Sequence, residues 1–247
     1  MLNKLGKLLK YEFRYYARLL PPLYLLLAIL PLPAGFMIRQ SGAPGVLMTT
    51  IWGIVITTLI VMNIVLILQH FRDNLLRNTG SLMLTLPVTT WALIASKAIA
   101  ALITVLISLI VISVSGIVFA MANVGWTDFF ADATFEVSAG PLITGLLVGI
   151  IMILQQVCLV YASITASHIL PKFRFVAGAV LYFAIMYFVE VPVFRLVSFI
   201  QKPELNDVLT SSGLVKLMIP YGLAGLALGV FFYWASGFLL KRTINLE

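Results

Sequence analysis

Residues 46–68 read VLMTTIWGIVITTLIVMNIVLIL, and residues 69–97 continue as QHFRDNLLRNTGSLMLTLPVTTWALIASK. The first run carries no Asp, Glu, Lys or Arg and matches the ~20 apolar residues that a helix needs to cross a bilayer. It does not alternate apolar with polar positions, as a barrel strand of about 10 residues would. A helix also satisfies its own backbone groups where no water is available. The helical pattern predicts a continuation to Leu76, roughly 30 residues or ~45 Å in all, longer than a hydrocarbon core of ~30 Å. The excess projects out of the membrane and carries Arg72, Asp73 and Arg77. A turn signal at Asn78–Gly80 comes next, then a short apolar piece, Ser81 to Pro87, and a new helix that Thr89 or Thr90 can N-cap. A plain solvated loop does not need that apolar piece.

Composition extends the reading to the whole chain. Of 247 residues, 62% are hydrophobic and 10% charged, against roughly 25% charged in ordinary globular domains. Mean hydropathy is +1.09. The expected fold class is an all-α integral membrane protein with six transmembrane helices, at 19–38, 46–68, 90–122, 140–168, 174–190 and 213–240. Residues 1–18 form an amphipathic interfacial helix. Leu2, Leu5, Leu9, Phe13 and Tyr16 share one face, and Lys4, Lys7, Lys10, Arg14 and Arg18 another. The charged part is too long for a cleavable signal peptide, and no clear small-residue cleavage site lies beyond it.

Pro21, Pro22, Pro31 and Pro33 predict a kinked or shortened first span. Lys97 is near enough to the inner surface to snorkel. Gly145 with Gly149, and Gly225 with Gly229, are small-xxx-small patterns that let helices approach. The fifth apolar run is short before Glu190, so residues 191–200 are expected to re-enter the outer leaflet. Asp128, Asp132 and Glu136 make the outer loop acidic. Six spans place both termini on one side. With that side inside, twelve of the 16 Lys and Arg residues are inner, and Arg39, Arg195, Lys202 and Lys216 are outer. This bias puts both termini in the cytoplasm and accounts for the net charge of +7 without nucleic acid.

Signatures of chemistry are sparse. The chain has no HExxH, GxSxG or GxxxxGK[ST] pattern and no paired carboxylates within a span. His70 and His168 read as interface residues. Cys158 is the single cysteine, which rules out an intramolecular disulfide. The polar residues inside spans, Asn63, Gln155 and Gln156, together with Glu190 at the end of the fifth, are either interhelical glue or a polar path for cargo. Glu190 and Arg195 are placed to pair. No catalytic, cofactor or metal residues are assigned.

The segment RNTGSLMLTLPVTTWALIASK, with Gly80, Leu84-Thr85-Leu86-Pro87 and Ser96-Lys97, resembles the region between the second and third spans of permease subunits of bacterial ABC exporters of the second class, the short six-helix type. The N-terminal LKYEFRYYAR, with Lys10, Glu12 and Arg14, is similar to the interfacial elbow helix of that family. The resemblance covers the chain in layout and about forty residues in motif. It implies that residues 70–89 form a cytoplasmic coupling helix docking a separate ABC ATPase subunit through Arg72, Asp73, Arg77, Gly80, Ser81, Leu82, Met83, Leu84, Thr85, Leu86 and Pro87. ATP and Mg would be held by that partner. Two permeases and two ATPases would make the complete exporter, in a bacterial inner or plasma membrane. The residues themselves are compatible, since exposed apolar side chains with a charged rim mark partner sites. Few charges and many aliphatic residues suit an amphipathic or hydrophobic cargo, such as a peptide. A membrane immunity or scaffold protein without transport, and an intramembrane enzyme, are the competing readings. Under the exporter reading, Leu84→Asp or Leu86→Asp abolishes co-purification of the ATPase while the chain still inserts; undiminished co-purification excludes the docking assignment.

Overall fold

The computed structural model describes residues 13, 15–40, 43–75, 90–125, 139–167, 174–201 and 211–244. Their regular structure is helical: α1 (Pro21–Ile29), α2 (Pro31–Arg39), α3 (Ala43–Leu75), α4 (Thr90–Val124), α5 (Ala139–Ser167), α6 (Arg174–Ile185), a π-helical turn (Met186–Glu190), α7 (Val191–Gln201) and α8 (Ser211–Ile244). Among the described residues, six helices are long and apolar enough to cross a membrane. The protein is thus a multi-pass membrane protein by its helices. Apolar side chains turn outward: Phe188 is 73% exposed while Glu190 is 3% exposed. Lipid takes the place that water has around a soluble fold, so polar groups are the ones sequestered.

The chain divides into two compact units. The first comprises Met1–Gln69 and Ile103–Glu136. Its N-terminal helical segment buries Tyr16, Leu20, Leu27, Pro31, Ala34 and Gly35, mostly three, four or seven residues apart and so along one helical face. The expected proline break is present. Pro31 and Pro33 supply no N–H, Leu30 donates to Leu26 O at 2.9 Å, and Ala34 resumes the ladder on Leu30 O at 3.1 Å. A Cβ on Gly35 would lie 2.6 Å from Phe119 O, so the absence of a side chain lets α2 touch the α4 backbone. Two polar ties join α3 to α4. Trp52 Nε1 donates to Ser115 Oγ at 2.8 Å, with its ring stacked on Phe119. Asn63 Nδ2 donates to Ser108 Oγ at 3.0 Å and to Leu59 O at 2.9 Å. Tyr24 Oη of α1 reaches the same serine at 2.8 Å. α4 ends at Gly125, whose φ of 113° lies in the region that glycine adopts without a Cβ penalty.

The second unit comprises His70–Leu102 and Val137–Glu247. α5 and α8 form its broadest interface. Gly225 and Gly229 pack against Met152 and Gln155 as close-approach positions, whereas a Cβ on Gly149 would meet nothing within 4 Å. Among the described residues, a Cβ on Gly145 would make only an ordinary contact with Met218. Gly237 is a close-approach position, although no small-xxx-small pattern marks it: a Cβ there would fall 2.3 Å from the Trp91 ring. Lys97 also departs from expectation. It is 1% exposed, and Ser96, Ala98, Ala100 and Ala101 beside it are buried as well.

The fifth helix does not stop at Glu190, where the expected span ended and a re-entrant piece began. The backbone is helical from Arg174 to Gln201. At its centre Val191 N–H bonds to Met186 O, five residues back. Pro192 explains the wide turn: its ring has no N–H for Phe188 O and crowds that carbonyl in α geometry. A second proline, Pro220 inside α8, withdraws the N–H that would reach Lys216 O. The Gln201 amide replaces it, donating to Lys216 O at 3.3 Å and Leu217 O at 3.1 Å. Replacing Gln201 by Leu should cost about 1 kcal/mol, and the loss should shrink in a Pro220→Ala background, where the helix serves its own carbonyl; equal losses in both backgrounds, by thermal unfolding in detergent, refute the assignment.

Candidate functional site

Gln155 and Gln156 are neighbours on α5, about 100° apart around the helix, and Glu190 lies between their reach. Gln155 Nε2 donates to Glu190 Oε1, and Gln156 Nε2 donates to Glu190 Oε2 at 2.9 Å. Tyr182 Oη on α6 donates to Gln156 Oε1 at 3.1 Å. Both carboxyl oxygens act as acceptors. The two amides thus present their nitrogens to Glu190. The π turn matters here: one extra residue rotates the rest of the helix by about 100° relative to an uninterrupted one. Glu190 faces inward at the end of that turn, while Tyr187, Phe188 and Val189 are exposed.

A carboxylate within a span is costly, and hydrogen bonds to a charged group offset about 1.5–3 kcal/mol each. One atom of the cluster remains unmatched: Gln155 Oε1 is buried with no hydrogen-bond partner among the described residues. The residue itself is 1% exposed and forms part of the wall of a cavity of about 300 Å³ between α4, α5 and α8. The remaining wall is apolar apart from Cys158 and Tyr233, and the Tyr233 hydroxyl is engaged on Trp91 O at 2.8 Å. Cys158 also belongs to a packed cluster with Leu159, Ala162 and Phe232.

Of the polar residues singled out from the sequence, Gln155, Gln156 and Glu190 are brought together. Asn63 belongs to the first unit, where Ser108 and Leu59 satisfy it as interhelical glue. Glu190 takes its hydrogen bonds from the two glutamines, and no ion pair joins it to Arg195, which is exposed. Arg72 and Asp73 lie on helical backbone in α3. Arg77, Gly80, Ser81, Leu82, Met83, Leu84, Thr85, Leu86 and Pro87, like Lys10, Glu12 and Arg14 of the elbow, fall outside the described residues. Tyr182 was missed because a tyrosine in an apolar run reads as an interface residue. Only its spacing of two helical turns before Glu190 could have suggested a shared face.

Two aromatic contacts were also not foreseen. Phe71, near the end of α3, stacks on Tyr161 of α5 with centroids 4.0 Å apart and planes at 13°, and both are fully buried. Trp91, at the start of α4, lies 5.3 Å from Tyr233 of α8. Among the described residues, no group of three or more His, Cys, Asp or Glu side chains is placed to hold a metal ion. No family model, curated protein or solved structure matches this chain.

Gln156→Ala leaves the Tyr182 hydroxyl and one Glu190 oxygen without partners, an expected loss of about 1–3 kcal/mol. In a Tyr182→Phe background the same change should cost measurably less. Additive losses in a double-mutant cycle mean the chain of hydrogen bonds does not act as a unit.

Proposed function

We propose that the chain is the membrane subunit of an ATP-driven ABC exporter, with hydrolysis carried out by a separate ATPase docked at residues 70–89, of which the segment 76–89 joins α3 to α4. The observation that supports this best is how the two helical ends flanking that segment are held. α3 has 33 residues and α4 has 35, about 50 Å each at 1.5 Å per residue. Arg72 and Asp73 lie in the last turns of α3, where it joins the segment, and α4 begins at Thr90 on the other side. Residues 70–75 and 90–93 are short helical stubs at the ends that the segment joins. The first is fixed to α5 by Phe71 on Tyr161, and the second to α8 by Trp91 against Gly237 and Tyr233.

A displacement applied to the segment would thus be delivered to α5 and α8, the helices that carry Gln155 and line the cavity. Stacked, buried rings suit this role, since close-packed side chains transmit a shift with little compliance. In this reading residues 1–18 form the interfacial elbow, α7 is the outer segment between spans five and six, and both termini are cytoplasmic. A second copy of the chain and a pair of ATPases complete the transporter. ATP and Mg reside on the ATPases, and the cargo is amphipathic or hydrophobic. Scaffold and intramembrane-enzyme readings gain nothing from the stubs, since neither requires a lever.

The test separates docking from transmission. Native purification from membranes should recover an ABC ATPase with the wild-type chain. Phe71→Ala should retain that ATPase yet lower cargo-stimulated ATP turnover about tenfold, about 1.4 kcal/mol of coupling. Recovery of no nucleotide-hydrolysing partner overturns the exporter reading, and normal stimulation in Phe71→Ala overturns the transmission route.

A further inference from the structure

We propose that Glu190 is a proton-binding site: its Oε1 takes a proton and donates it to the amide oxygen of Gln155, while Gln156 holds Oε2 in the proton-bound and proton-free forms alike. The inference goes beyond the exporter reading and does not rest on it, since the site is built from this chain alone. It stands on the unequal way in which the two glutamines are held. Gln156 is tied at both ends of its amide, Nε2 to Glu190 Oε2 at 2.9 Å and Oε1 to the Tyr182 hydroxyl at 3.1 Å. Turning it would require two partners to change roles together. Gln155 is tied at one end only. Its Nε2 meets Glu190 Oε1, and its own Oε1 is buried with no hydrogen-bond partner among the described residues. An amide offers donors on one side and an acceptor on the other. A half-turn of Gln155 therefore puts its oxygen opposite Glu190 Oε1 and leaves one end of the amide matched, as before. The pair can serve a carboxylate through N–H or a carboxylic acid through C=O.

Burial without a cation selects the acid. Glu190 is 3% exposed and lies within the apolar span Val176–Gln201. Among the described residues no Lys, Arg or His pairs with it. Arg195 on α7 and Lys216 on α8 are exposed, and Lys97, buried on α4, is not one of its partners. The other titratable groups on the surrounding helices bring no positive charge. Tyr182 is engaged on Gln156, and Cys158 packs in the apolar cluster against which Tyr182 lies. Tyr187 of the π turn is exposed, Tyr221 stacks on Phe194, and Tyr233 is bonded to Trp91 O. A buried carboxyl group with no cationic partner is less costly neutral than charged. The proton comes from water: one O–H bond forms at Oε1, and the group passes from one negative charge to none.

Solid-state NMR tests this on the purified full chain, without any ATPase, in phosphatidylcholine bilayers. The sequence has five glutamates, so labelling their side-chain carboxyl carbon gives a sparse spectrum, and Glu190 is the signal missing from Glu190→Gln. At neutral pH that signal should sit at the position of a protonated carboxyl, where an exposed glutamate is ionised. A carboxylate signal from Glu190 overturns the proposal. With the glutamine side-chain nitrogens labelled as well, one nitrogen, that of Gln156, should couple strongly to the Glu190 carbon; two coupled nitrogens mean that Gln155 has not turned, and refute the assignment of the proton. Unfolding supplies a second readout. Glu190→Gln is neutral and can donate to Gln155 while accepting from Gln156, so it should keep the wild-type thermal midpoint at neutral pH. Glu190→Leu can do neither and should melt lower. A Glu190→Gln chain that fails to fold, or melts as low as Glu190→Leu, also overturns the proposal. Because no ATPase is present, each result leaves the exporter reading to be decided by its own experiment.

Discussion

Every backbone N–H and C=O inside a bilayer must find its partner within the protein, and the organisation of this chain comes from meeting that demand where proline prevents it. Most of each span is ordinary helix and settles the matter locally. The prolines are where something else must act. At Pro31 and Pro33 the helix divides at Leu30, and Ala34 resumes the ladder. At Pro192 the turn widens to a five-residue step. At Pro220 a side chain from another helix, Gln201, takes up Lys216 O, which the helix can no longer serve, and also reaches Leu217 O. The three solutions differ because their surroundings differ, and two of them have structural consequences beyond the backbone.

The wide turn before Pro192 shifts the helical phase at Glu190, and that carboxylate orders the polar centre of the second unit. It accepts from the amides of Gln155 and Gln156, and through Gln156 it engages Tyr182. With Gln155 Nε2 turned to that group, Oε1 is the atom left over. The unmatched acceptor is therefore a consequence of backbone chemistry on another helix.

The same second unit receives the ends of α3 and α4 through Phe71 and Trp91. Glycine at position 237 makes room for the indole, and Tyr233 bonds its hydroxyl to Trp91 O. The first unit is tied differently, by Tyr24, Asn63, Ser108, Trp52 and Ser115 across α1, α3 and α4. Its hydrogen bonds close on one another: Ser108 is within 3.2 Å of Asn63 Oδ1 as well as of Nδ2, consistent with a holding role.

The sequence by itself determined the solvent, the number of apolar helices and most of their limits, because hydropathy and helical period are local quantities. The 46–68 run and the proline break in the first span were legible for that reason. It also marked Gln155, Gln156 and Glu190 as polar groups in apolar surroundings. What only the tertiary structure decided is which of these meet. That Glu190 faces two glutamines and not Arg195 depends on the phase shift before Pro192 and on the packing of α6 against α5. That Gly237 rather than Gly149 is a close-approach position depends on which face of α8 meets Trp91. Burial, partners and cavities are properties of several segments at once, and no one-dimensional pattern contains them.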